Sequence, residues 1–232
     1  MSGLATYERD GAIGTIVIDD AKVNVFSIPM LRAIHAAFDQ ADRDGVVVVL
    51  TGRENYFSAG FDLKVLAGEG DQVLEMLTLG ATLAERVLSW PRPVAVACTG
   101  HALPAGAFLL LSADLRIGAD GPFRIGLNEV RIGLTVPWFA IELARHRLHP
   151  AHFDRTVVNA TMYSPQEAVA PGFLDRVVAP GELRVVSLAA AGELAQLDAR
   201  AHAATKGRAR ASALTALRSA IESELTAGSG DP

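Results

Sequence analysis

Residues 57–63 read Phe-Ser-Ala-Gly-Phe-Asp-Leu, and they follow shortly after Val46–Leu50, a continuous apolar run. A run of this length predicts a strand that is buried on both faces. The small residues at positions 58–60 would let a ligand approach the backbone closely, and Gly60 can adopt a positive φ. An ordinary glycine turn before a helix is the alternative interpretation of the same residues.

A second buried strand is predicted over Val94–Cys98, and directly after it residues 100–108 read Gly-His-Ala-Leu-Pro-Ala-Gly-Ala-Phe. These small residues open a predicted helix, whose first backbone N–H groups would be free to face an anion. Close packing of the helix on the strand is the alternative. His101 is more typical of a hydrogen-bonded or exposed histidine than of a catalytic one.

The third stretch is Gly126-Leu127-Asn128-Glu129, in a largely apolar neighbourhood. A carboxyl group in such surroundings tends to have a raised pKa, which suits proton transfer near neutral pH. A surface glutamate paired with Arg131 is the alternative.

Strands and helices alternate over most of the chain, which predicts a layered α/β fold. Beyond Pro180 the sequence is alanine-rich and predicts only helices. A terminal tail, Ala227–Pro232, is expected to fray. The other predicted elements are a strand at Thr15–Ile18, a helix capped by Ser27, a helix over Gln72–Leu88, brief strands at Leu115–Ile117 and Pro122–Ile125, a helix over Trp138–Leu148, a short helix from the capping box Ser164–Glu167 to Gly172, and helices over Leu183–Leu197 and His202–Leu225.

The composition points to an intracellular protein. The chain has 232 residues, of which 50% are hydrophobic, and its net charge of −5 argues against general binding to nucleic acids or anionic membranes. The N-terminal residues do not resemble a signal peptide, and no window is long and apolar enough to span a bilayer. One cysteine, Cys98, fits a reducing cytoplasm. The six histidines and this cysteine show no metal-ligand spacing, so no metal is expected.

Taken in this order and spacing, the three stretches resemble the crotonase superfamily, the enoyl-CoA hydratase/isomerase family, along nearly the whole chain. The resemblance implies an α/β fold in which strand–strand–helix units coil into a spiral. It further implies that residues 1–182 form the core with the acyl-CoA site, and that residues 183–232 form a helical segment that assembles homotrimers, often paired as hexamers. No cofactor is implied, because coenzyme A is part of the substrate.

The same resemblance assigns roles to individual residues. The backbone N–H groups of Phe61 and Ala105 would hold the thioester oxygen as it becomes an enolate, and Glu129 would move the proton. Lys206 would contact the CoA phosphates. A solvated helix face beside Arg208 and Arg210 is the alternative interpretation. The residues that would line the CoA and substrate pocket are Lys22, Val23, Ala59, Gly60, Asp62, Leu63 and Phe108.

Phe108 separates two reactions of the family. Hydratases carry a second glutamate at this position, and a phenylalanine can neither position water nor transfer its proton. One carboxylate suffices to move a proton from C2 to C4 of a 3-enoyl thioester, as in the mitochondrial-type isomerases that residues 104–106 and 126–129 resemble. We therefore predict an enoyl-CoA isomerase. Enoyl-CoA hydration and acyl-CoA binding without turnover are the alternatives.

Overall fold

The structure is a computed structural model that describes residues 3–226. Six of the strands in these residues form one sheet in the order β1-β2-β4-β7-β9-β10. The β1 strand is antiparallel to β2, and the other neighbours are parallel. The strands are β1 (Ala5–Asp10), β2 (Ile13–Ile18), β3 (Val25–Phe26), β4 (Val47–Thr51), β5 (Asn55–Ser58), β6 (Gly60–Phe61), β7 (Val94–Cys98), β8 (Gly100–Ala102), β9 (Leu115–Ala119) and β10 (Arg176–Val178).

Nine α-helices occupy much of the rest of the described chain. Two 3-10 turns, Val130–Ile132 and Pro180–Glu182, accompany them. The helices are α1 (Ile28–Asp44), α2 (Leu63–Leu66), α3 (Asp71–Ser89), α4 (Pro104–Ser112), α5 (Trp138–Arg147), α6 (Pro150–Val157), α7 (Leu183–Leu194), α8 (Ala199–Ala209) and α9 (Ala211–Thr226).

The chain repeats one local order, in which a strand of the large sheet is followed by a short strand of a second layer and then by a helix. The units are β2–β3–α1, then β4 with β5 and β6 before α2 and α3, then β7–β8–α4. In the second layer β3 pairs with β6 and β5 pairs with β8. This arrangement is the predicted crotonase-type α/β fold.

The apolar strand runs are buried on both sides, as the sequence predicted. In β4, Val48 and Leu50 face the larger core, whereas Val47 and Val49 face a second core that α7 covers. The same alternation holds for β7, whose five residues are all buried. Successive side chains of a strand point to opposite faces, so a sheet with helices on both faces needs apolar residues throughout.

Local signals set the helix boundaries. Ser27 accepts a hydrogen bond from the Met30 N–H at the start of α1, and Gly45 ends that helix in the left-handed conformation. The predicted C-terminal helix over His202–Leu225 is instead two helices that meet at Arg210.

Two local predictions are wrong. Residues 122–125 form no strand, because only Ile125 makes isolated bridges, to Ala102 and Tyr163. Pro122 has no N–H to donate to a ladder. The Ser164–Glu167 capping box does form, with the Ser164 N–H and hydroxyl each donating to the Glu167 carboxylate at 2.9 Å, but the residues up to Gly172 make turns instead of a helix.

The tail predicted to fray, Ala227–Pro232, lies outside the described residues. Within residues 3–226, none of the helices combines the length and hydropathy that a membrane crossing requires.

Candidate active site

A cavity of about 300 Å³ lies where the turn after β5, the N-terminus of α4 and the loop after Asn128 meet. Its walls are mostly apolar, with carboxyl and carboxamide groups from only three residues. The lining residues are Ala59, Gly60, Phe61, Leu63, Leu66, Leu77, Leu103, Pro104, Phe108, Asn128, Glu129, Ile132, Leu134, Thr135, Pro137 and Glu224.

Buried hydrogen bonds hold the turn that carries Phe61. The fully buried Asn24 carboxamide donates to the carbonyls of Ile18, Tyr56 and Phe57 at 2.8, 3.1 and 3.2 Å. The hydroxyl of Ser58 donates to the Asn24 carbonyl at 2.8 Å and accepts from the Gly60 N–H at 3.1 Å. These bonds fix the backbone just before Phe61.

Gly60 brings this turn against the start of α4. Its φ is +93°, a conformation that residues with a side chain rarely adopt. A Cβ placed on Gly60 would lie 3.6 Å from Cδ of Pro104 and 3.9 Å from the backbone N of Ala105. The two segments predicted to supply the N–H donors are therefore neighbours, as the oxyanion-hole prediction requires.

The N–H of Ala105 lies in the first turn of α4. N–H groups in a first turn have no intrahelical acceptor, and the N-cap Leu103 makes no side-chain hydrogen bond. Ala105 is 3% exposed. This N–H is a donor that a ligand oxygen can use, and Pro104 before it supplies a helix start without an N–H of its own.

Glu129 sits at the entry of the 3-10 turn Val130–Ile132. Its side chain is buried, and neither carboxylate oxygen has a hydrogen-bond partner. Burial raises its pKa from 4.5 to about 7. Pairing with Arg131 is excluded, because neither Glu129 oxygen has a partner, and the Arg131 Nε donates instead to the Ala160 carbonyl at 2.6 Å. The carboxyl group is thus unpaired, with a pKa near neutral pH.

Aromatic rings fill the far side of the cavity. The Phe61 and Phe108 centroids are 6.2 Å apart, and Phe108 meets Phe139 edge-on at 5.4 Å. The ring of Phe61 lies over Gly80 of α3, where a Cβ would come within 2.4 Å of the ring Cζ. Phe108, at the position where hydratases carry their second glutamate, is buried and contributes only apolar surface.

Glu224 is a cavity residue that the sequence analysis missed. It reaches the site from α9, and its Oε1 accepts from the Trp138 N–H at 3.2 Å, at the start of α5. Burial raises its pKa, while hydrogen bonds from the Trp138 and Phe139 backbone oppose the shift. No sequence signal indicated this contact, because Glu224 lies far along the chain from the motifs it joins.

Three predicted pocket residues lie beside the cavity instead of lining it. Lys22 is exposed, and its carbonyl accepts from the Arg53 side chain. The Val23 carbonyl accepts from the Ala59 N–H at 3.0 Å. Asp62 caps α2 by accepting from the Lys64 N–H. By contrast, the predicted residues Ala59, Gly60, Leu63 and Phe108 line the cavity together.

Lys206 is not part of the cavity. Its Nζ donates to Asp114 at 2.6 Å, and its side chain is only 5% exposed. Burial lowers its pKa to about 8, although Asp114 opposes the shift. Arg210 binds the other oxygen of Asp114 at 2.8 Å. The alternative of a solvated helix face is wrong, because the ammonium group is enclosed with its counter-charge. The contact with CoA phosphates stays a prediction, which this buried ion pair does not favour.

Known proteins with similar sequences and structures share one family. The family model described as enoyl-CoA hydratase/isomerase matches residues 8–228. A probable enoyl-CoA hydratase of Mycobacterium avium is 30% identical over 206 residues, which cover 87% of this chain and 78% of that protein. A solved enoyl-CoA hydratase/isomerase family protein from Pseudomonas syringae is 45% identical with a TM-score of 0.94, covering 97% of this chain and 98% of that one. A solved protein of Mycobacterium tuberculosis, called an enoyl-CoA isomerase in one structure and a probable enoyl-CoA hydratase in another, is 42% identical in the first with a TM-score of 0.93, covering 98% of this chain and 99% of that one.

Proposed function

The chain belongs to the enoyl-CoA hydratase/isomerase family, the crotonases, and on that premise we propose that it converts 3-enoyl-CoA thioesters into 2-enoyl-CoA thioesters. The observation that supports this proposal is the buried Glu129 carboxyl, which has no partner and lines the same cavity as Phe61 and the start of α4.

The proposed reaction begins when the Glu129 carboxylate takes a proton from C2 of the bound thioester. The electron pair moves towards the thioester oxygen, and the N–H groups of Phe61 and Ala105 hold the resulting dienolate. Removing one such donor typically slows a reaction by about 10²–10³-fold. Protonation at C4 then places the double bond in conjugation with the carbonyl. Because the donors are backbone groups, phenylalanine and alanine side chains are compatible with this role.

The raised pKa of Glu129 suits proton transfer near neutral pH. A base that is too acidic removes protons poorly, and an acid that is too weak returns them poorly, so a catalytic pKa near the working pH is favourable. Burial supplies this upward shift, and no cation contacts the carboxyl group to oppose it.

Phe108 supports isomerisation over hydration. Water addition requires polar groups that hold the attacking water, and the Phe108 ring with its neighbours Phe61 and Phe139 offers none. An acyl chain, by contrast, packs well against such a wall. We further propose an acyl-CoA substrate and a cytoplasmic location. We also propose a homotrimer or homohexamer, and analytical ultracentrifugation can test this oligomeric state.

The decisive experiment supplies 3-enoyl-CoA and 2-enoyl-CoA separately and identifies each product. We expect isomerisation of the first and little hydration of the second. Glu129→Gln should lower kcat by about 10²–10⁴-fold, the usual contribution of a general acid–base, with acyl-CoA binding largely intact. Glu193→Gln, an exposed change on α7, is the matched control and should keep full activity. Near-normal turnover by the Glu129→Gln variant would refute the assignment.

Hydration is the second candidate, and two observations favour it. Relatives such as the M. avium protein are named hydratases, and Glu224 supplies a second carboxyl group at the cavity. Rapid formation of 3-hydroxyacyl-CoA from crotonyl-CoA would establish it. Acyl-CoA binding by calorimetry, together with no turnover of any enoyl-CoA, would instead identify a binding protein.

A further inference from the structure

Unsatisfied oxygen acceptors are concentrated at this one cavity. Within residues 3–226, four buried side-chain oxygens without a hydrogen-bond partner belong to residues that line it: Oδ1 of Asn128, both oxygens of Glu129 and Oε2 of Glu224. A buried acceptor without a donor is unfavourable by about 1–3 kcal/mol. Several of them around one cavity indicate that the bound ligand or a proton completes the site.

The two oxygens of Glu224 have different surroundings. Oε1 accepts from the Trp138 N–H and so secures α9 to the start of α5, whereas Oε2 has no donor. One oxygen therefore fixes the side chain in place, and the other is buried at the cavity without a donor.

Two carboxyl groups that share an apolar cavity do not readily ionise together. Each charge loses solvation there, which favours the neutral form. Burial raises the pKa of both Glu129 and Glu224. Both groups therefore hold a proton more readily than an exposed carboxyl group does, and a two-residue proton transfer requires one of them ionised and the other protonated.

We propose that Glu224 is a second catalytic residue, which delivers the proton to C4 while Glu129 removes the proton from C2. This inference rests on the proposed isomerisation. In one turnover the C2–H bond breaks as the Glu129 carboxylate takes its proton, and the Glu224 carboxylic acid protonates C4 of the dienolate. Glu129 ends protonated and Glu224 ionised, and proton exchange with water restores the starting pair without any further reactant.

Deuterium labelling tests whether Glu129 and Glu224 transfer different protons. The substrate is 3-enoyl-CoA carrying deuterium at C2, and the readout is the fraction of deuterium at C4 of the product. The wild-type protein should place mostly solvent hydrogen at C4. In Glu224→Gln, Glu129 must both remove and return the proton, so deuterium at C4 should rise several-fold while kcat falls about 10–100-fold. Glutamine keeps Oε1 as an acceptor for the Trp138 N–H, so the capping bond is retained.

Glu222→Gln changes an exposed residue of the same helix and serves as the control, with wild-type kcat and labelling expected. Equal labelling and equal kcat in wild-type protein and Glu224→Gln would overturn the role of Glu224 and leave the isomerase proposal standing. No isomerisation by wild-type protein would overturn both. Should Glu224→Gln not fold, the wild-type result decides by itself, because extensive deuterium transfer to C4 would show that a single residue carries the proton.

Discussion

Glu129→Gln should stabilise the folded protein while it removes catalysis. The Glu129 carboxylate is 5% exposed and has no hydrogen-bond partner, so ionising it inside the fold is unfavourable. Its pKa rises from 4.5 to about 7, and each unit of pKa corresponds to 1.36 kcal/mol. The carboxylate therefore lowers the free energy of unfolding by about 3 kcal/mol once it is fully ionised. Glutamine has nearly the same shape and carries no charge.

The sign of the pH dependence follows from the direction of the shift. Because the folded pKa is above the unfolded one, folding binds a proton. The stability contributed by the protonated group is fully present below about pH 4.5 and is lost as the pH rises through about 7. The variant has no such titration, so its advantage over wild-type protein should be small at pH 5 and close to its full value at pH 8.5.

Urea unfolding of both proteins at several pH values measures this difference directly, since other titrating groups cancel in the comparison. Equal pH dependence in the two proteins would show that the Glu129 carboxyl is solvated or paired in solution. The argument for a base poised near neutral pH would then fail together with the stability argument. In kinetics, the wild-type kcat should rise with pH through about 7 if ionised Glu129 removes the proton.

Further predictions concern other parts of the molecule. Ala105→Pro removes one proposed donor in the first turn of α4, and kcat should fall about 10²–10³-fold; the thermal unfolding midpoint, measured in parallel, reports any loss of folding, and unchanged kcat would contradict the donor role. Phe61→Leu keeps the backbone N–H but replaces the ring with a smaller side chain. In a series of acyl chain lengths, the substrate with the highest kcat/KM should therefore be a longer one than for wild-type protein. Asp114→Asn leaves the buried Lys206 and Arg210 without their counter-charge and should lower the free energy of unfolding by about 3–5 kcal/mol, measured with urea. Lys206→Met should leave KM for acyl-CoA within about 2-fold of the wild-type value. A large rise in KM would instead support the predicted contact between Lys206 and the CoA phosphates.

Elements with strong local signals could be predicted from the sequence. The buried strand Val94–Cys98 and the cap at Ser27 depend on patterns only a few residues long, and the structure has both. The strand Ala5–Asp10 was missed because it lies at the sheet edge and carries mostly polar, exposed residues. Strand Arg176–Val178 was missed because three residues give too short a pattern, and pairing with β9 defines it.

The candidate-site residues show the same difference between local and long-range signals. Glu129, Phe61 and Ala105 could be named because each lies in a recognisable motif beside a strand end. Glu224 could not, because its position depends on how α9 packs against α5. The burial of Lys206 was missed for a related reason. Its sequence neighbours Arg208 and Arg210 suggest an exposed basic helix, but Asp114, which is distant in sequence, encloses its ammonium group.

The backbone and the ring of Phe61 have separate roles, and the contact with Gly80 involves only the ring. The backbone of Phe61 serves chemistry, whereas its ring occupies a space that exists only because α3 has a glycine there. Substitutions of Gly80 or of the Phe61 side chain should therefore alter which acyl chains are accepted, while the Phe61 backbone N–H keeps its position.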